Sequence, residues 1–350
     1  MIGEEGEGIH IVENSEQMES VGFMAIPGNR EFIVDGNTLY AESYYDVIKI
    51  DVTDPRQARI EERAAFSIQE ERKDDKGNTL IGFDYAQKSI EITEEEDFYN
   101  DIIDDQLVYL DFARNSIPVS ALPSSFAGTS GGQVGVGNKM AITGDHLYLI
   151  SNDNMIAIST EDFTTGHQRH KGVMSDMETI FAYENMLFLG GRSSMNIFSP
   201  DGKNTPILLH EFQHATSCDP VLPFFDVAYV TLRTADFSEC PGNTNALVVL
   251  NIEDPSRTYE VKELPMFSPY GMSISDDKLY VAEGKNGLKL FDISDKFSPE
   301  LLNHFIEVEV YDVIQSPFSS SFLYLAGPDG LGKYETGENQ ELSIVGELRY

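Results

Sequence analysis

Short stretches of alternating apolar and polar residues recur along most of the chain, and each has an aromatic residue near its start. Each aromatic residue follows a leucine or alanine, and the pairs are Leu39-Tyr40, Leu147-Tyr148, Leu187-Phe188, Ala228-Tyr229, Leu279-Tyr280 and Leu323-Tyr324. A turn precedes every pair, and most of these turns contain Gly, Asn, Asp or Ser, which suit hairpins. Successive pairs are 108, 40, 41, 51 and 44 residues apart. A recurring spacing of roughly 40 residues is typical of repeat architectures.

A second turn and a further alternating strand follow each aromatic pair. Residues Asp46–Asp51 and Gly287–Ile293 show this alternation, which predicts strands. The Asp-Pro dipeptides that begin at Asp54 and Asp254 mark sharp exits from the third strand, and a fourth strand such as Arg59–Arg63 follows. Four short strands per unit, with no helical period between them, predict an all-β chain that folds as a β-propeller of four-stranded antiparallel blades. A β-helix would have shorter repeats, and a sandwich would not repeat in sequence.

The number of blades depends on the N-terminal segment. Residues Gly8–Val12 and Val21–Ala25 match the third and fourth strands of a unit, so one partial unit precedes six full ones. This favours seven blades, while the count is six if the partial unit completes the C-terminal blade. We therefore predict one propeller domain over residues 1–350, with an insertion at 67–137 between the first and second full blades. The insertion contains an acidic stretch and ends in a Gly/Ser-rich linker over Ser124–Gly137.

The charge of the chain limits its partners. It has 24 basic and 59 acidic residues, a formal net charge of −35. Nucleic acid is bound through basic surfaces, so we expect none here, and an anionic membrane surface would also repel this chain. No apolar run reaches the roughly 18 residues that a transmembrane helix requires, so we expect no transmembrane segment. The chain also has no Trp, which excludes a WD-type propeller.

Two cysteines, Cys218 and Cys240, lie 22 residues apart on either side of a predicted strand. On spacing alone they can be free thiols or a disulfide, and a disulfide would indicate an oxidising compartment. Residues 1–15 have no basic segment followed by an apolar segment, so they do not resemble a signal peptide, and a leader removed before this sequence begins is one alternative.

Several segments resemble the LVIVD repeat family of bacterial secreted and surface propellers. The segments that carry the resemblance are Leu39–Ser43, Val47–Pro55, Gly287–Ser294, His214–Val221, Ala228–Arg233 and Cys240. The resemblance implies that Cys218 and Cys240 are paired and that the protein is exported to the periplasm or cell surface, commonly as a lipoprotein with an N-terminal lipid anchor. It implies no established enzymatic activity. The family tends to have His before the glycine equivalent to Gly271, where this chain has Tyr270.

Polar residues stand where each predicted first strand begins, although the strand interiors are apolar. In a propeller the first strands line the central channel, so these residues are predicted to form a ring at one channel end. The predicted ring comprises Arg30, Glu31, Lys139, Asp176, Glu178, His214, Asp219, Tyr270 and Asp312. Its carboxylates Glu178, Asp219 and Asp312 are the candidate oxygen ligands for an ion such as calcium. The ring can equally consist of structural polar groups that bond one another and water.

The sequence contains no Walker or dinucleotide-binding motif, and the histidine-bearing stretch Thr164–Gly172 is predicted as a turn. We therefore expect a monomeric, extracytoplasmic and non-catalytic binding propeller with no required cofactor. Its ligand would be a protein, a glycan or a small polar molecule at the channel mouth. One alternative is a metal-dependent hydrolase or lyase that uses the acidic ring, and another is a structural module of the cell envelope.

Overall fold

The computed structural model describes residues 1–4, 6–15, 18–44, 46–65, 133–134, 139–151, 154–165, 167–171, 177–200, 206–214, 220–234, 244–316, 319–337 and 340–349. Two compact units are distinguished by their contacts. The first comprises Met1–Gln69 and Ala121–Tyr350 and contains all the elements described below. The second, Glu70–Ser120, lies outside the described residues, as does most of the predicted insertion.

The described part of the chain forms seven antiparallel sheets, which we number as blades 1 to 7 in chain order. Blades 1 and 2 contain β1 (Ile2–Glu4), β2 (Gly8–Val12), β3 (Ser20–Ala25), then β4 (Phe32–Asp35), β5 (Thr38–Ser43), β6 (Asp46–Asp51) and β7 (Arg59–Ala65). A separate short strand, β8 (Gln133–Val134), precedes blade 3, which contains β9 (Met140–Thr143), β10 (His146–Ser151), β11 (Asn154–Ser159) and β12 (His167–Lys171). Blade 4 contains β13 (Met177–Tyr183), β14 (Met186–Gly191), β15 (Ser194–Pro200) and β16 (Pro206–Gln213).

The three C-terminal blades follow the same order. Blade 5 contains β17 (Val221–Phe224), β18 (Val227–Leu232), β19 (Ala246–Asn251) and β20 (Tyr259–Pro265). Blade 6 contains β21 (Met272–Ser275), β22 (Lys278–Ala282), β23 (Leu288–Asp292) and β24 (Glu300–Phe305), and blade 7 contains β25 (Asp312–Gln315), β26 (Phe322–Gly327), β27 (Gly330–Thr336) and β28 (Leu342–Arg349). Pairing within each blade runs from one strand to the next in sequence, which confirms the predicted four-stranded unit in blades 2 to 7.

The Leu-aromatic pairs explain how neighbouring blades pack. Because successive side chains of a strand point to opposite faces, the two residues of a pair face different blades. Leu147 packs in the cluster between blades 2 and 3, while Tyr148 packs in the cluster between blades 3 and 4. Leu279 and Tyr280 divide in the same way between the two faces of blade 6. Each pair thus contributes to two interfaces.

Seven hydrophobic clusters lie between successive blades, and the last of them closes the ring. In that cluster Ala326 and Leu331 of blade 7 pack against Ile2 of blade 1 and the nearby Met18. The hydroxyl of Tyr324 donates to Asn14 Oδ1 at 2.5 Å across the same interface. Seven blades, the favoured count, are therefore confirmed, and the N-terminal strands form a blade of their own with three strands among the described residues.

The repeated Asp-containing turns have a structural role in the exit from the third strand. Asp292 Oδ1 accepts hydrogen bonds from the backbone N–H and the hydroxyl of Ser294, at 2.7 and 2.6 Å. Asp51 Oδ1 accepts the N–H of Thr53 in the same way, at 2.9 Å. Such turns satisfy backbone groups that the strand no longer pairs. In blade 2 a 3₁₀ helix over Pro55–Gln57 follows, capped by Asp54.

Two local predictions differ from the structure. The stretch predicted as a turn at Thr164–Gly172 contains the outer strand β12, whose sequence His-Gln-Arg-His-Lys has no apolar alternation because it pairs on one side only, with β11. Within the predicted linker, Gln133 and Val134 pair with Ser273 and Met272 on the inner side of β21. A fifth strand is thereby added to blade 6, towards the channel. Among the described residues, no helix has the length and hydropathy needed to cross a bilayer.

Candidate functional site

One end of the channel is where the first strand of each blade begins and the second strand ends. Hydrogen-bond register identifies the equivalent position of each blade at this end, which we call the mouth position. In blades 2, 3, 5 and 6 this position is held by the residue whose carbonyl oxygen accepts a hydrogen bond from a backbone N–H at the end of the second strand. These residues are Glu31, Lys139, Pro220 and Gly271. Pairing places Thr179 and Asp312 at the same position in blades 4 and 7.

The predicted ring members therefore divide into two groups. Glu31, Lys139 and Asp312 occupy the mouth position, as the sequence spacing indicated. Glu178 and Tyr270 stand one residue earlier. In blade 4 a β-bulge between Met177 and Thr179 leaves Glu178 as an extra residue directly before the mouth position.

Among the described carboxyl groups of the predicted ring, that of Asp312 is the most deeply buried, with 5% of the residue's surface exposed. Its Oδ1 accepts the N–H of Val313 at 2.9 Å. Gly271 lies against it so closely that a Cβ at this glycine would come 2.1 Å from Asp312 Oδ1. Burial raises the pKa of the Asp312 carboxyl to about 8, and the hydrogen bond from Val313 opposes this rise. Burial therefore favours the protonated form of this side chain.

Basic side chains meet a partly buried acid, Glu42, between blades 2 and 3. Arg30, which directly precedes Glu31, and Lys139 at the mouth position are both exposed. Both lie close enough to Glu42, at the end of β5, to lower the pKa of its carboxyl. Burial is the larger effect and raises that pKa overall. Burial thus favours the neutral form of Glu42, while Arg30 and Lys139 are exposed.

Blade 4 contributes an ion pair to the mouth. Glu178 Oε1 lies 3.1 Å from Nε of Arg192, which directly follows the second strand of the same blade. Because Glu178 is bonded to an arginine, its carboxylate is already partly neutralised by a cation. The pair presents both charges at the channel end, since each side chain is partly exposed.

Aromatic rings cover the side of the mouth formed by blades 5 to 7. The guanidinium of Arg233 lies 4.3 Å from the centre of the Tyr270 ring, and Tyr311 meets that ring edge-on at 5.0 Å between centroids. Thr231 Oγ1 donates to the carbonyl of Tyr270 at 3.0 Å, which fixes the backbone there. The hydroxyl of Tyr311 donates to Glu309 Oε1 at 2.5 Å. Tyr270 and Tyr311 remain partly exposed, so they offer a ring surface beside charged groups.

A buried charged cluster in blade 6 was not predicted from the sequence. Glu283 is fully buried, its Oε2 lies 3.0 Å from Lys289 Nζ, and its Oε1 accepts the N–H of Phe267 at 2.7 Å. His304 Nε2 lies 3.9 Å from the same carboxylate and 2.6 Å from the carbonyl oxygen of Asn286. The cluster ties the turn after the second strand to the segment that leads to Tyr270. An acidic residue directly after the apolar run of β22 is the only sequence signal for it.

The remaining predicted site residues are only partly described. Asp176, Asp219, Cys218 and Cys240 lie outside the described residues, so the predicted disulfide stays a prediction. The backbone N–H of His214 donates to the carbonyl of Ser193 at 3.0 Å. The carboxylates proposed as metal ligands also stay a prediction, and within the described ranges no three His, Cys, Asp or Glu side chains form a group that would hold a metal ion.

Comparisons with known proteins agree with the fold. Residues 271–306, which span blade 6, match the family model of the LVIVD repeat. No curated protein matches the sequence of this chain. The crystal structure of a functionally unknown protein from Desulfotomaculum acetoxidans is similar with a TM-score of 0.59 and 9% identity, over 95% of this chain and 90% of that one. The periplasmic gluconolactonase of Pseudomonas aeruginosa is similar with a TM-score of 0.56 and 10% identity, over 99% of this chain and 94% of that one.

At these identities the structural likeness concerns the fold alone. Together with the seven sheets and the closed set of interfaces between them, it leads to one conclusion. The chain is a seven-bladed β-propeller that carries an LVIVD repeat at residues 271–306.

Proposed function

We propose that the protein is a non-catalytic, extracytoplasmic binding propeller that takes a glycan or another small polar ligand at the channel mouth. The observation that supports this is the concentration of partly exposed polar, charged and aromatic side chains at one channel end. They come from six different blades, although the interiors of the strands are apolar. Ligand sites typically combine aromatic surface with a few fixed polar groups.

The aromatic side of the mouth is suited to a sugar ring. The Arg233 guanidinium lies over the Tyr270 ring, and Tyr311 makes an edge-on contact with the same ring. The position of the Tyr270 ring is therefore fixed before a ligand binds. A fixed ring loses little conformational freedom on binding, which favours affinity. Neighbouring carboxylates, such as that of Glu309, accept hydrogen bonds from hydroxyl groups.

The extracytoplasmic location rests on the sequence resemblance and on the proposed pairing of Cys218 and Cys240. A disulfide persists outside the reducing cytosol. Intact-mass measurement before and after reduction tests the pairing, because a disulfide lowers the mass by two hydrogen atoms. Two free thiols in protein purified from its natural compartment would contradict the location.

A glycan array followed by titration of the best binder tests the function. The informative variant is Tyr270→Ala at the mouth, and its matched control is Tyr259→Ala, since Tyr259 is an exposed tyrosine on the outer strand of blade 5. We expect Tyr270→Ala to abolish binding and Tyr259→Ala to leave it unchanged, with urea unfolding curves showing that both variants are folded. Binding that survives Tyr270→Ala, or an array without any binder, would contradict the proposal.

A further inference from the structure

Cations are scarce in this chain, yet four successive blades bring one each to the mouth. The whole chain has 24 basic residues against 59 acidic ones. Arg30 and Lys139 lie where the first strands of blades 2 and 3 begin, and Arg192 and Arg233 lie where the second strands of blades 4 and 5 end. Four of the few cations of this acidic protein thus lie at one channel end, beside carboxylates such as that of Glu178.

The four cations differ in what they contact. Arg192 is paired with Glu178, and Arg233 is stacked on Tyr270. Arg30 and Lys139 are exposed, and within the described residues neither has a carboxylate oxygen within 4.0 Å, the limit for an ion pair. These two side chains are therefore available to a ligand.

Arg30 and Lys139 also lead into neighbouring first strands, β4 and β9. The backbone N–H of Glu42 donates to the carbonyl oxygen of Glu31, the residue after Arg30, so the end of β5 lies beside Arg30. Strand β4 of blade 2 also contacts strand β9 of blade 3, which Lys139 precedes. Both cations act on the Glu42 carboxyl. Since burial favours the neutral form of Glu42, that residue offsets the two charges only in part.

We infer that Arg30 and Lys139 form a subsite for an anionic group of the ligand, a carboxylate, sulfate or phosphate. This inference rests on the proposed function, because it assigns a chemical class to the ligand of the same mouth. A single exposed ion pair contributes little to affinity, but two cations that converge on one anion make charge-assisted hydrogen bonds from two directions. Arginine suits such a group in particular, because its planar fork of N–H donors matches two oxygen atoms.

The test is isothermal titration of the full chain with four probes. Trigalacturonate carries carboxylates, a heparin-derived hexasaccharide carries sulfates, tripolyphosphate carries phosphates, and maltotriose is neutral. The variant is Arg30→Gln with Lys139→Gln. The matched control, Arg56→Gln with Lys278→Gln, removes the same charge from the turn after β6 and from the opposite end of blade 6.

We expect at least one anionic probe to bind and maltotriose to bind more weakly. The Arg30 and Lys139 variant should weaken the anionic probe by about tenfold or more, while the control should change affinity by less than about twofold. The three anionic probes distinguish the sources of the charge. If maltotriose binds as well as the anionic probes, or if the variant matches the control, the anionic subsite is refuted while the proposed binding function stands. If none of the probes binds, the anionic subsite is refuted, and the glycan array decides separately on the proposed binding function.

Discussion

Replacing the Asp312 carboxyl with an amide tests whether the channel mouth contains a protonated acid. Asn has nearly the same shape and keeps an oxygen that accepts the N–H of Val313. It cannot ionise, so the variant Asp312→Asn removes the effect of pH at this position and little else. We expect the variant and the wild type to be about equally stable in acid and the variant to be more stable at alkaline pH.

The magnitude follows from the pKa of this carboxyl. Burial raises it from 3.8 to about 8 in the folded protein. Because the folded-state pKa is the higher one, the stability associated with the proton is fully present below pH 3.8 and is lost as the pH rises towards 8. Each pKa unit corresponds to about 1.4 kcal/mol, so the free energy of unfolding should fall by roughly 6 kcal/mol over this interval because of Asp312 alone.

Urea unfolding at several pH values between about 4 and 9 measures this difference. The quantity of interest is the free energy of unfolding of Asp312→Asn minus that of the wild type, because the many other carboxyl groups cancel in the subtraction. It should increase steadily with pH. Asp277→Asn, at an exposed aspartate in blade 6, is the control and should give a constant difference. A constant difference for Asp312→Asn as well would show that this carboxyl ionises normally and would refute the reasoning.

Two further predictions concern blade 6. Glu283→Ala leaves the buried Lys289 cation without its carboxylate. We expect the free energy of unfolding, measured in urea, to fall by roughly 3–5 kcal/mol. A loss below about 1 kcal/mol would show that the ion pair contributes little. Asp292→Ala removes the acceptor of two hydrogen bonds from Ser294, which lower the pKa of Asp292 in the folded state. Because that pKa is depressed, the stability that Asp292 contributes is present at neutral pH and is lost as the pH falls. Thermal unfolding at pH 7 should therefore give a lower melting temperature for Asp292→Ala than for the wild type. In acid the two melting temperatures should lie closer together. Asp292→Asn keeps an acceptor and should be the milder change, and equal effects of the two variants would contradict the role of the turn.

The repeat and its packing could be predicted because one sequence signal determines both. In the pair Leu147-Tyr148 the turn fixes where the second strand begins, and the alternation of a strand sends the two side chains to opposite faces. Each blade packs against a neighbour on both of its faces, so a pair of this kind recurs at the start of the second strand in blades 2 to 7. The seventh interface involves Ile2 and Met18, which belong to no such pair, and only the structure shows that they close the ring.

The mouth was harder to predict, because no packing requirement fixes the residues that lead into a first strand. Counting back eight residues from Leu147 gives Lys139, which occupies the mouth position. Counting back nine residues from Leu187 gives Glu178, which lies one residue too early. Only the hydrogen-bond register shows which count is correct. The Glu283 cluster could not be predicted from the sequence for a different reason. Its partners Lys289 and His304 come from other strands of the blade, and only the pairing of β23 with β24 brings those two side chains opposite each other.

The net charge of −35 and the anionic subsite are compatible because electrostatic interactions in salt solution are short-ranged. At physiological ionic strength the screening length is about 8 Å. A nucleic acid must lie along a wide surface, so it meets the net negative charge of the chain and is repelled. A small anion at the mouth interacts mainly with charges within about 8 Å of it, and the proposed subsite places Arg30 and Lys139 among them. Net charge therefore disfavours an extended polyanion as the partner of this propeller without disfavouring a single anionic group, and only the placement of the few cations distinguishes the two cases.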